Sequence, residues 1–152
     1  MKIYIASDHA GFDLKTHLIS YLESGGFEMI DCGPKEKVAG DDYPDWISKV
    51  AIEVSKNPDD TKGIVIGYSG QGEAIVANKF KNIRAGVYYG GPAEIITLLR
   101  EHNNSNVLSL SAKLLTPAEA SKAVDLWLNT AFSNDPRHIR RIQKIKDLES
   151  NV

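Results

Sequence analysis

The sequence is poor in the features that mark specialised protein classes. It has one cysteine, Cys32, so no disulfide forms within the chain and a reducing compartment is expected. No apolar run approaches the ~18 residues needed to cross a bilayer. The apolar start around Ile3-Tyr4-Ile5 meets Asp8 too soon to read as a secretory signal. Neither sign of charge dominates: 18 Lys and Arg stand against 20 Asp and Glu, a formal net charge of −2. That balance offers no bulk attraction to nucleic acid or a membrane surface, so any anion site must come from local clustering of cations. A soluble, cytoplasmic protein is expected.

What remains is an ordinary globular composition, 42% hydrophobic over 152 residues, enough for a single domain spanning 1–152. Short β-branched runs alternate with amphipathic stretches. Strands are expected at 2–7, 27–32, 63–68, 84–89 and 107–110. The run Gly63-Ile64-Val65-Ile66-Gly67 is nearly all apolar, as in a parallel strand covered on both faces. Leu14, Leu18 and Leu22 line one face of a first helix. Further helices are expected at about 43–55, 72–80 and 92–102. Thr116-Pro117-Ala118-Glu119 and Asp135-Pro136 are helix starts, each with a capping residue followed by proline. The alternation predicts an α/β domain, a five-stranded parallel sheet with helices on both faces. The helix after Asp135 comes last and is expected to reach onto a partner subunit.

Ligands of such sheets sit beyond the carboxyl ends of the strands. Ser7-Asp8-His9-Ala10-Gly11 follows the first strand. Its two titratable side chains suit proton transfer to a hydroxyl or ring oxygen, although helix capping by Asp8 explains the segment equally well. Gly67-Tyr68-Ser69-Gly70-Gln71-Gly72-Glu73 follows the most apolar strand. Its glycines let successive N–H groups converge on an anion, yet it is neither a Walker A loop nor a dinucleotide fingerprint. Glu73 suits the first turn of a helix on electrostatic grounds alone. Beside an oxyanion pocket it is also the base needed for proton abstraction next to a carbonyl. Arg100-Glu101-His102-Asn103-Asn104 reads either as a helix end or as a second acid–base site. In Pro136-Arg137-His138-Ile139-Arg140-Arg141, Arg137 and Arg141 share a helix face with His138 nearby. Cations in a first helical turn oppose the dipole, which a bound dianion would relieve. His17 reads as a surface residue, Cys32 as a poor nucleophile, and no metal-ligand spacing is present.

Together with Asp42-Tyr43-Pro44, these segments resemble the B-type ribose-5-phosphate isomerase family, which includes galactose-6-phosphate isomerase subunits. They occur in family order over nearly the whole chain. The resemblance implies a Rossmann-like three-layer sandwich and a homodimer, or a tetramer of paired dimers, with active sites between subunits. It implies interconversion of ribose 5-phosphate and ribulose 5-phosphate through an enediolate, a step of pentose phosphate metabolism, without metal or cofactor. Many members carry a cysteine base where this chain has Gly67, so the resemblance assigns the base to Glu73, as in the family's other branch. His102 and Asp8 would open the sugar ring. The N–H groups from Ser69 through Gly70, Gln71 and Gly72 to Glu73 would hold the enediolate, and the Ser69 hydroxyl would assist proton exchange. His9, Tyr43 and Asn103 would contact substrate, and Arg137, Arg141, His138 and Lys113 its phosphate. Lys113 stands where an arginine is usual, and Leu108-Ser109-Leu110-Ser111 replaces glycines common in the family. These departures leave a hexose 6-phosphate, of allose or galactose, as the alternative substrate. A nucleotide-binding module on a flavodoxin-like scaffold and a non-catalytic partner subunit are the remaining readings.

Overall fold

In the computed structural model, which describes residues 1–150, strands and helices alternate from the start. They are β1 (Lys2–Ser7), α1 (Phe12–Ser24), β2 (Glu28–Asp31), α2 (Tyr43–Lys56), β3 (Thr61–Gly67) and α3 (Gln71–Ala77), then β4 (Ala85–Tyr88), α4 (Glu94–Asn103), β5 (Val107–Ser111), α5 (Pro117–Asn129) and α6 (Pro136–Glu149). The strands form one sheet in the order β2-β1-β3-β5-β4, and every neighbouring pair is parallel. The five-stranded α/β architecture expected from the sequence is the one observed.

The burial pattern follows from the strand pleat. In β3, Ile64, Val65 and Ile66 are all fully buried, because both faces of the central strand are covered. Ile64 and Ile66 face a layer holding Leu14, Leu18 and Leu22 of α1, Ile96 of α4 and Trp127 of α5. Val65 faces the opposite layer, with Ile47, Val50 and Val54 of α2 and Ala77 of α3. Two such layers around one sheet make the three-layer sandwich. At the start of α5, Thr116 and Glu119 close the capping box that their spacing predicts.

Some boundaries differ from expectation for local reasons. β3 begins at Thr61 because Thr61 and Lys62 pair with Lys2 and Ile3 of β1. It ends at Gly67 because Tyr68 turns out into solvent. α3 stops at Ala77, since the Asn78 amide bonds both N–H and C=O of Ala85 and so continues the sheet at edge strand β4. α6 packs mainly on α4 and leaves Ile139, Ile145 and Leu148 exposed. No helix is long and apolar enough to cross a membrane among the described residues.

Candidate active site

Parallel strands put all their carboxyl ends at one edge of the sheet, and the glycine loop lies there. Glu73 is 4% exposed on the first turn of α3. Its carboxyl group sits over the Cα of Gly67: a Cβ at that position would lie 1.8 Å from Oε1 and 2.1 Å from Cδ. The carboxylate thus occupies the volume of the missing side chain at the end of β3. Burial raises its pKa above the usual value, and the negative charge of Asp8 adds to that rise, against a partial offset from Glu73's own backbone N–H. Gly70 adopts φ +80°, the left-handed turn that brings the loop into the helix. The Tyr43 ring covers Gly72, where a Cβ would lie 2.8 Å from the phenol oxygen. Tyr43 is therefore in contact with the loop.

The turn after β1 faces the same space. Asp8 is buried and its Oδ1 accepts the N–H groups of Ala10 and Gly11 at 3.0 and 3.2 Å. Its capping-type bonds and its charge beside Glu73 coexist, so the two sequence readings of Asp8 are not exclusive. His9 Nδ1 lies 2.7 Å from Asp41 Oδ1, and its backbone N–H donates to the same oxygen at 2.9 Å. This bond to Asp41 raises the His9 pKa, favouring imidazolium. Asp41 Oδ2 accepts from Trp46 Nε1 at 2.7 Å. Burial alone would raise the Asp41 pKa, but the bonds from His9 and Trp46 outweigh it and lower the pKa. Asp41 is a functional neighbour that local sequence does not single out; the only signal is the pair of carboxylates preceding Tyr43. Lys113 is exposed at this edge, its N–H bonded to the Tyr68 carbonyl.

The remaining expected residues gather at the opposite edge. α4 starts beyond the carboxyl end of β4 and runs back about 15 Å, ten residues at 1.5 Å each, to place His102 and Asn103 where the strands begin. The chain entering α6 returns there too, with Ser133 N–H bonded to the Glu101 carbonyl. The His102 and His138 rings lie 4.2 Å apart between centroids. Arg137 and Arg141 are exposed on the same helix. Within one chain, His102, Asn103, Arg137, His138 and Arg141 thus lie across the sheet from Glu73, Asp8 and Ser69.

His138 departs from expectation. It is 3% exposed rather than on the helix surface, with Nδ1 3.0 Å from Ser133 Oγ. Burial, then the charges of His102 and Arg137, lower its pKa, which favours the neutral imidazole. The dipole argument for an anion at α6 is also weakened. Asp135 caps the helix by accepting the Arg137 N–H at 2.9 Å and pairs with its Nε at 3.1 Å. Arg141 is exposed and makes no ion pair among the described residues.

Asp8, His9 and Asp41 place ligand-type atoms within 4.8 Å of one another. Their oxygens already accept N–H groups of Ala10, Gly11, His9 and Trp46, so the cluster reads as a hydrogen-bonded turn. Cys32 is half-buried and burial pushes its thiol pKa up, consistent with an inert role. His17 is exposed and bonds Ser121 Oγ at 3.0 Å between α1 and α5.

The sequence pattern of the ribose/galactose isomerase family matches residues 3–145. Ribose-5-phosphate isomerase B of Mycolicibacterium paratuberculosis is 41% identical over 98% of this chain and 92% of its own. The crystal structure of ribose-5-phosphate isomerase B from Mycoplasma genitalium with bound ribulose-5-phosphate superposes with a TM-score of 0.94. It is 40% identical and covers 99% of this chain and 97% of that one. The corresponding protein from Clostridium thermocellum gives a TM-score of 0.92 at 38% identity, covering 99% of both chains.

Proposed function

The chain belongs to the ribose/galactose isomerase family, and on that footing we propose that it interconverts ribose 5-phosphate and ribulose 5-phosphate with Glu73 as the base. The observation that carries this reading is the Glu73 carboxylate seated over Gly67, buried and with raised proton affinity, beside the glycine loop. A base that exchanges protons near neutral pH works best when its pKa is lifted out of the ordinary carboxylate range.

Moving a proton between C2 and C1 of an open-chain sugar creates negative charge on the enediolate oxygens. A carboxylate is too weak to remove that proton unless the charge is held as it forms. Loop N–H groups between Ser69 and Glu73 supply fixed donors, each worth about 3 kcal/mol in known oxyanion holes. Asp8, with its oxygen tied to Ala10 and Gly11, and His102 would open the ring. His9, held by Asp41, brings a fixed imidazole to the substrate hydroxyls, and Tyr43 closes the loop from above. Arg137, Arg141 and Lys113 would orient the phosphate, supplying binding energy remote from the reacting carbons.

Because His102 and the arginines lie across the sheet from Glu73, the complete site requires a second copy of the chain. Two surface grooves support this assembly. One of about 500 Å³ is lined by Gln71, Ile75, Asn78 and Val87. Another, of about 210 Å³, is lined by Asn78, Leu99, Asn103 and Ile145. They meet at Asn78, so the surface runs from the Glu73 edge to the His102 edge. A two-fold-related copy laid along it in the reverse direction sets each edge against its opposite. The exposed Ile75 and Ile145 line these grooves.

The test is ketose formation from ribose 5-phosphate, allose 6-phosphate and galactose 6-phosphate assayed side by side. Turnover is expected to be fastest with the five-carbon substrate. Faster turnover of a hexose 6-phosphate would reassign the substrate, and no turnover of any of the three would contradict the enzyme itself.

A further inference from the structure

Strand β5 carries two hydroxyls in a place that packing alone would fill with apolar groups. Ser109 and Ser111 are both 0% exposed in the otherwise apolar run Val107-Leu108-Ser109-Leu110-Ser111. A buried hydroxyl costs free energy unless it is hydrogen-bonded, so what these two bond matters. Being two apart, they project from the same face of the strand, the face that also carries Val107 and packs towards α3.

Both reach the glycine loop. Ser109 Oγ donates to the Gly70 carbonyl at 2.5 Å, and the Ala74 N–H reaches the same oxygen at 3.2 Å. Ser111 Oγ donates to the Tyr68 carbonyl at 2.8 Å, an oxygen that also accepts the Lys113 N–H at 3.1 Å. The Ser111 hydroxyl is itself held by the Leu114 N–H at 3.1 Å. With the Ala112 N–H on the Gly67 carbonyl at 2.9 Å, β5 and its exit fix the carbonyls of Gly67, Tyr68 and Gly70.

A trans peptide is planar and points its N–H opposite to its C=O. Pinning the Tyr68 and Gly70 carbonyls towards β5 therefore turns the Ser69 and Gln71 N–H groups away from β5, the latter towards Ser69 Oγ at a long 3.3 Å, a contact that substrate oxygen would replace. The Gly70 linkage is where this control matters most. Glycine at φ +80° has access to both senses of peptide rotation. A flip of the Gly70–Gln71 peptide would exchange a donor for a carbonyl oxygen, presenting negative charge where the enediolate develops it. We propose that Ser109 and Ser111 are positioning residues for the isomerisation: their hydroxyls lock the loop peptides in the sense that presents N–H groups to the enediolate. This rests on the reading of Glu73 and the glycine loop given above. It goes beyond that reading by giving a function to two buried serines that the mechanism above does not use.

The experiment compares wild type with Ser109→Ala and Ser111→Ala in the full-length protein. Two ligands of the same phosphate and chain length are used: a hydroxamate, planar and anionic like the enediolate, and a reduced polyol phosphate. In Ser109→Ala, kcat is expected to fall about tenfold with KM within about threefold, the split that marks loss of transition-state contacts. Affinity for the hydroxamate should fall about tenfold while that for the polyol stays within about twofold. Ser111→Ala should show the same pattern to a smaller degree: each carbonyl keeps one backbone donor, from Ala74 or Lys113, but only the Gly70 linkage lies at the glycine with φ +80°, where the peptide turns most readily. Unchanged kcat in both variants, or equal losses for both ligands, would overturn the positioning role. A wild-type protein that turns over no sugar phosphate and binds the two ligands equally would instead overturn the underlying reading of Glu73.

Discussion

Glu73→Gln is expected to lower kcat at least about a hundredfold, the low end of a general base's contribution, with polyol phosphate affinity within about threefold. Gln keeps the shape of the side chain over Gly67 but has no lone-pair basicity to accept the C2 proton. In the proposed site phosphate recognition falls to the arginines of the opposite edge and to Lys113, so binding should persist. Wild-type activity should decline on the acid side as Glu73 takes up its proton, above the usual carboxylate range because burial and Asp8 raise its pKa. The same shift fixes the sign of the stability effect. A carboxyl group that holds its proton more tightly when folded loses stability as pH rises through the window from its unfolded to its folded pKa. A neutral Gln removes that cost, so the variant should unfold at or above the wild-type temperature at pH 7.5. An inactive variant that is also less stable would point to general damage.

Gly67→Ala should cost about as much turnover, near a hundredfold, by a different route. The new methyl group would lie 1.8 Å from Glu73 Oε1, so the carboxyl group has to leave its seat. A displacement of about 1 Å is enough to lose a factor of about a hundred when a catalytic group must meet a carbon-bound proton. Both substitutions disable one group, so their effects should not add. The double variant Gly67→Ala, Glu73→Gln should be no slower than Glu73→Gln alone, whereas independent defects would multiply. Steady-state kinetics of the four proteins closes this cycle. Near-normal turnover in Gly67→Ala would show that the base works from some other position.

Much of this was legible in the residues. The apolar run through Ile64, Val65 and Ile66 marks a strand covered on both faces, and Leu14, Leu18 and Leu22 mark the helix that covers one of them. The proline-led starts at Thr116 and Asp135 placed two helices almost to the residue, because capping is a local interaction. The glycine loop reads as an anion-binding turn at the carboxyl edge of a parallel sheet. What was not legible depends on distant packing. Nothing within Arg137-His138-Ile139 says that His138 turns inward; it does so because Ser133 and the end of α4 come up against α6. Asp41 reads as a loop residue until folding brings His9 and Trp46 to it, from 32 residues away and from the next helix. Ser109 and Ser111 read only as departures from the family pattern, since their partners belong to another strand's loop. The separation of His102 from Glu73 follows from the direction of α4, which the spacing of the motifs does not record.

That separation gives the account its most direct test. Heterodimers that combine one Glu73→Gln chain with one His102→Asn chain, purified through two different affinity tags, pair one intact Glu73 with one intact His102 across the interface. They are expected to recover about half of wild-type turnover per dimer, because one of two symmetric sites is complete, while each parent variant stays inactive. Heterodimer activity no greater than that of the parents would contradict a reaction centre built from opposite sheet edges of two chains.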